Sequence, residues 1–155
     1  MDANHSPVNT TALEAAKRLL EQGIAFVKNA GLIVEHLQPG EVRCLMPFKG
    51  NGNHIGTLYA GALFTVAEIP GGALFLSSFD TARFFPVVKA LNLKFVKPAK
   101  SDVRVTARLS ATEISRIEQE ATQNGKAEFT LSLELKDAEG VVVAISEGLY
   151  QLRRV

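Results

Sequence analysis

The stretch NHIGTLYAGALFTVAEIPGG, Asn53 to Gly72, decides how the rest of the chain is read. From Thr57 onward its residues are small or apolar on every side, the pattern of a helix enclosed by other elements. One residue breaks it: Glu68 is the single charged side chain between Lys49 and Asp80. A carboxylate on an enclosed helix either has a partner, with Lys94 or an arginine the candidates, or is desolvated with a raised pKa and poised for proton or nucleophile chemistry. The start of the helix offers a complement. Glycines at 50, 52 and 56 make a flexible lead-in, Thr57 is the expected N-cap, and the amides of Leu58 to Gly61 then lack an intrahelical acceptor. Such amides suit a developing oxyanion, and the small residues Ala60 and Gly61 let a carbonyl approach the backbone.

Spacing constrains how the two features can cooperate. At 1.5 Å of rise per residue, Ala60 and Glu68 lie roughly 12 Å apart along the axis, too far to serve one reacting carbon. If both act, two copies of the helix run side by side in opposite senses, which means a homodimer with two shared sites.

Working outward, residues 1–9 are polar and expected to be loose, and 10–155 form one domain. Thr11 with Glu14 is a capping-box pattern, and Leu13, Ala16, Leu20, Ile24 and Val27 recur at helical spacing until Gly31, predicting one amphipathic helix of about five turns. Two strands, 32–37 and 41–48, follow around Pro39-Gly40, with Val42, Cys44, Met46 and Phe48 on one face. Beyond the central helix and the loop SSFDTARFF, strands are expected at 87–97 and from Val103 to Leu109. A short surface helix from Thr112 to Asn124, opened by Ser115 and Glu118, interrupts the run. Phe129, Leu131, Leu133 and Leu135 alternate with polar residues, and a last strand runs from Val141 to about Arg153. Helix, strand pair, long buried helix, then long strands describes an α+β plan with one antiparallel sheet wrapped around one helix.

At this point the string N-x-x-G-x-x-Y-A-G-x-L-F-x-x-A-E, Asn53 to Glu68, resembles the signature of hotdog-fold acyl-CoA thioesterases of the phenylacetate-degradation (PaaI) type, N-x-x-G-x-x-H-G-G-x-x-x-x-x-A-D/E. LNLKFVKPAKSDVRVTARL, Leu91 to Leu109, is similar to that family's third and fourth strands, and the likeness is nearest to members with NHIGT at the helix start. The resemblance implies a hotdog fold with an extra N-terminal helix and a thioesterase acting on an acyl-CoA or related thioester. By position it implies Glu68 as the catalytic carboxylate, activating water or attacking directly. The Ala60 amide would polarise the thioester carbonyl, Asn53 would help position substrate or water, and amide and carboxylate would come from different subunits. His-Gly-Gly of the family is Tyr59-Ala60-Gly61 here, so the backbone donor survives while the fit around the thioester differs. A hydroxyl residue often found one turn after the carboxylate is Gly72 here, which leaves the water-positioning role unassigned.

Blander roles compete for several residues. Asn53 can simply turn the lead-in loop, and Tyr59 suits a core position better than a catalytic one. His54 lies fourteen residues before Glu68, a spacing that resembles the His/Glu pair of hotdog 3-hydroxyacyl dehydratases. The proline-rich context of that histidine is absent, which favours a structural or substrate-lining His54 and leaves dehydration as the alternative activity. A module that binds acyl thioesters without turnover is the third reading. Gly61, Tyr59, His54 and Phe84 are the candidate substrate-lining residues, with Phe79 and Phe85 of the same apolar loop near Phe84. Arg83, Lys94, Lys97 and Lys100 are candidates for coenzyme A phosphates, although solvated strand-end cations are commoner.

Composition excludes other classes. A formal net charge of +1 and the lack of a basic, aromatic-interleaved face argue against nucleic acid. The single cysteine, Cys44, excludes an internal disulfide and fits a reducing cytoplasm. Three scattered histidines give no metal-ligand spacing, and no G-x-S-x-G elbow or dinucleotide fingerprint is present. No separate cofactor is expected, coenzyme A being part of the substrate. The central helix, interrupted by Glu68 and Pro70, reads as a poor membrane span. A homodimer or a tetramer of such dimers in the cytoplasm is the expected assembly.

Overall fold

A computed structural model describes residues 10–155; the expectation for 1–9 lies outside the described residues. The elements follow the order α1 (Thr10–Gln22), α2 (Ala25–Ala30), β1 (Ile33–Gln38), β2 (Glu41–Met46), α3 (Ala60–Ser78), β3 (Phe84–Phe95), β4 (Val103–Arg108), α4 (Ala111–Asn124), β5 (Lys126–Lys136) and β6 (Val142–Arg154). All strand pairings are antiparallel, in the order β1-β2-β4-β5-β6-β3. The sheet wraps α3, which touches every strand as well as α1.

Alternation of apolar and polar residues dictates which face of the sheet turns inward. On β5 it is unbroken, with Ala127, Phe129, Leu131, Leu133 and Leu135 buried and every other residue exposed. Val42, Cys44 and Met46 of β2 are fully buried and Phe48 packs against them, as their shared face requires. Burial, aided by Glu21 and Glu35, pushes the Cys44 thiol up to about 12. That makes it an inert core residue.

Three local expectations are corrected. The first helix is two helices, because Gly23 interrupts it: a Cβ there would stand 2.5 Å from the Leu19 carbonyl oxygen, and Ile24 is extended. Gly31 closes α2 in the left-handed conformation, φ 77°, as its position predicted. The cap of α4 is Ser110, whose hydroxyl accepts from the Glu113 amide at 3.1 Å, so the capping pair lies five residues before the Ser115/Glu118 pair. Helix α4 links β4 to β5 and packs on β5 and β6; among the described residues β4 and β5 pair only at Arg104–Lys136 and Val105–Leu135.

The third correction concerns α3. It runs as one helix through Pro70. It is long and apolar enough to cross a membrane, yet 61% of that span is buried inside the fold, as in a core helix. It is not enclosed on all sides, however. Ala60, Phe64, Glu68, Gly72 and Leu76, at a spacing of four, form a stripe that the sheet leaves open, with Phe64 45% exposed. Among the described residues strand β3 is likewise unpaired along one edge, and Val88 and Phe95 on it are exposed.

Candidate active site

The lead-in to α3 is a tight loop built by one side chain. Asn53 Oδ1 accepts from the amides of Ile55 and Thr57, each at 3.0 Å, while its Nδ2 donates to Thr57 Oγ1 at 2.8 Å. Gly56 lets the loop close, with φ 80° in the region that favours glycine. Both polar atoms of the Asn53 side chain are thereby engaged, so it shapes the loop. Thr57 is its partner and not the helix cap, which is Tyr59.

The loop delivers fewer free amides than expected. Leu58 N–H donates to the Ala99 carbonyl at 2.8 Å and Tyr59 N–H to the Asn51 carbonyl at 2.9 Å. Ala62 and Leu63 both turn back to the Tyr59 carbonyl. Ala60 and Gly61 remain, and among the described residues their amides have no acceptor. Asn51 is the anchor that the sequence reading missed. Its Nδ2 donates to the Ala30 and Pro47 carbonyls, tying the loop to the end of α2. An asparagine among glycines in GNGN was the available signal.

Beside these amides lies a cleft of about 310 Å³, lined by Asn53, Thr57, Ala60, Leu63, Phe95 and Lys97 among others. Tyr59 is not in the core: it is 57% exposed, and its ring lies over Gly61, where a Cβ would meet it at 2.5 Å. His54 is exposed in the same loop. Phe84 is placed elsewhere, buried at the start of β3 beyond the far end of α3, with Arg83 stacked 4.8 Å above its ring. Arg83 itself is held by Glu118 and Thr122 of α4, each at 3.1 Å.

Glu68 sits at the middle of the open stripe. It is half-buried, and among the described residues it has no hydrogen bond or ion pair; neither Lys94 nor an arginine reaches it. Desolvation alone raises its pKa above the ordinary glutamate value. One turn on, at Gly71, α3 meets Tyr150 of β6, a residue the sequence reading did not single out. The Tyr150 hydroxyl is buried and has no partner among the described residues, and the same holds for the hydroxyl of Ser146 on the same inward face of β6. Larger hollows of about 670 and 780 Å³ lie along α4 and on the outer face of the sheet. Their arginines and Lys136 are paired with Glu35, Glu41, Glu113, Glu120 and Glu134. No group of three or more metal-ligating side chains occurs among the described residues.

A six-stranded antiparallel sheet around a long central helix, with a lone carboxylate midway and free amides at its start, defines a hotdog-fold protein. Residues 13–150 match the family model described as a domain of unknown function, DUF4442, and the chain belongs to that family. The solved structure of PA5026 from Pseudomonas aeruginosa, described as a protein of unknown function and probable thioesterase, is 58% identical, covers 92% of this chain and 95% of its own, and has a TM-score of 0.89. At the level of fold alone, thioesterase HI1161 from Haemophilus influenzae is similar with 16% identity, coverage of 92% and 90% and a TM-score of 0.70. A mutant of thioesterase PA1618 from Pseudomonas aeruginosa is similar with 17% identity, coverage of 97% and 98% and a TM-score of 0.71. No curated protein matches the sequence.

Proposed function

We propose that the protein is a homodimeric thioesterase of the cytoplasm that hydrolyses an acyl-CoA or related acyl thioester in two sites shared between subunits. One observation carries this reading: the unpaired Glu68 and the free amides of Ala60 and Gly61 belong to the same uncovered face of α3, roughly 12 Å apart. Two such faces packed in opposite senses bring the carboxylate of one subunit opposite the amides of the other. The dyad then falls midway, at the exposed Phe64. Gly72 suits this close packing, because nothing within 4 Å faces the position of its missing Cβ. The unpaired edge of β3 extends the same interface, which covers an edge otherwise prone to uncontrolled pairing. The probable-thioesterase description of the 58% identical relative supports the same assignment.

In the proposed reaction the thioester carbonyl oxygen accepts from the Ala60 amide, with Gly61 beside it. Glu68 of the other subunit takes a proton from water as the water oxygen bonds to the carbonyl carbon. Collapse of the tetrahedral intermediate breaks the carbon–sulfur bond, and the thiolate recovers the proton from Glu68. Desolvation suits the carboxylate to this work, because a raised pKa makes it a stronger base near neutral pH. Direct attack by Glu68, with hydrolysis of the resulting anhydride, uses the same residues. Lys97 lines the cleft and is the cation proposed to meet a coenzyme A phosphate, while Tyr59 and His54 are exposed on the neighbouring loop.

Glu68→Gln is expected to lower kcat by about two orders of magnitude or more while the fold persists. Normal hydrolysis by that variant refutes the assignment. The exposure of His54 on the amide loop keeps dehydration as a second reading. A panel of saturated and 2-enoyl thioesters, followed for free thiol and for loss of enoyl absorbance, separates the two, and tight binding without turnover identifies a silent acyl-binding module.

A further inference from the structure

Tyr150 is held in an unusual seat. Its ring passes between two glycines: a Cβ on Gly71 of α3 would lie 2.1 Å from the ring, and one on Gly148 of β6 would lie 2.5 Å from it. On its other side the ring stacks against Phe129 of β5, its cross-strand partner, with centroids 5.5 Å apart. Both glycine positions therefore leave room for this one ring. Burial is nearly complete, at 1% exposure, yet the hydroxyl finds no partner among the described residues. An unsatisfied buried hydroxyl is destabilising, a penalty that phenylalanine in the same seat would avoid.

The place of the hydroxyl suggests its use. Gly71 follows Glu68 by three residues and so lies on the same side of α3, one turn along. Glu68 is the one titratable group that acts on Tyr150 among the described residues; its charge adds to burial in pushing the phenol up to about 12. Tyr150 therefore stays protonated through the working range, able to donate and accept hydrogen bonds without carrying charge.

We propose that the Tyr150 hydroxyl is a catalytic group, the second holder of the attacking water, which donates one hydrogen to the Glu68 carboxylate and the other to Tyr150 Oη so that its lone pair faces the thioester carbon. This rests on the thioesterase reading of the site and adds a residue to it. No proton is transferred to Tyr150; the proton lost by water goes to Glu68, as above.

Tyr150→Phe keeps the ring in its seat and removes only the hydroxyl. It is expected to lower kcat about tenfold, the equivalent of one hydrogen bond, with KM little changed. Losing a polar neighbour also disfavours the charged carboxylate, so the acid limb of the pH–kcat profile moves to higher pH. Packing alone predicts neither change, and wild-type kcat with an unmoved acid limb overturns the proposal. Fluorotyrosine incorporation provides a test that needs neither catalysis nor the Phe variant. The chain has two tyrosines, and Tyr59→Phe assigns their fluorine NMR signals. The Tyr150 signal is expected to inflect as Glu68 ionises, and Glu68→Gln is expected to abolish the inflection. A Tyr150 signal flat through the acid range overturns the proposal, whereas full activity in Glu68→Gln overturns the hydrolase reading instead.

Discussion

Replacing Ala60 by proline removes one hydrogen atom from the proposed site and almost nothing from the fold. Ala60 is the first residue of α3, its amide has no acceptor among the described residues, and proline is well tolerated at a first helical position. Tyr59 already has φ −61° and ψ 139°, within the extended region compatible with a following proline. The variant should therefore fold as the parent does, or be more stable by about 0.4–1 kcal/mol through loss of unfolded-state freedom. If the Ala60 amide stabilises the oxyanion, kcat falls by about 10²–10³, or about 2.7–4 kcal/mol of transition-state stabilisation. Ala60→Gly retains the N–H and should keep kcat within a few-fold of the parent. The assay is continuous release of free thiol from acyl-CoA substrates, with thermal melting run in parallel. A proline variant that melts normally and turns over at the parental rate refutes the role of this amide.

Shared sites make a further prediction by complementation. Mixed and re-formed dimers of inactive Glu68→Gln and Ala60→Pro chains should recover about one quarter of parental activity, because half of random dimers are mixed and each has one intact site. No recovery on subunit exchange contradicts the cross-subunit geometry. Phe64→Glu places two like charges at the proposed dyad and should give a monomer by sedimentation, with activity lost in parallel; an intact active dimer excludes that placement. Glu68 also has a stability signature. Its folded pKa is raised, so the folded state binds more protons than the unfolded one as pH rises above the ordinary value of 4.5, and stability falls through that window. Glu68→Gln should therefore melt higher than the parent at neutral pH, with the gain vanishing below about pH 4.5, which melting curves across pH will check.

Period-two alternation on β2, β4 and β5 and the positions of Gly31 and Gly40 were enough to predict the layered α+β plan, because backbone periodicity and left-handed turns are local properties. Glu68 was legible for a related reason: one charge in thirty apolar and polar-neutral residues stands out in any context. The open stripe of α3 was not legible. Phe64, Gly72 and Leu76 are as apolar as the residues facing the sheet, so no amphipathic signal separates the covered side from the bare one. Competition between backbone partners was equally hidden. Only the fold brings Ala99 and Asn51 up to the amides of Leu58 and Tyr59, leaving two donors where four had been expected. Tyr150 lies eighty-two residues from Glu68 and in an ordinary alternating strand. Its seat between Gly71 and Gly148 depends on how β6 packs against α3, which no local pattern encodes. Composition and periodicity thus determined the layers and the lone carboxylate, while tertiary packing alone decided which groups around that carboxylate remain unpaired.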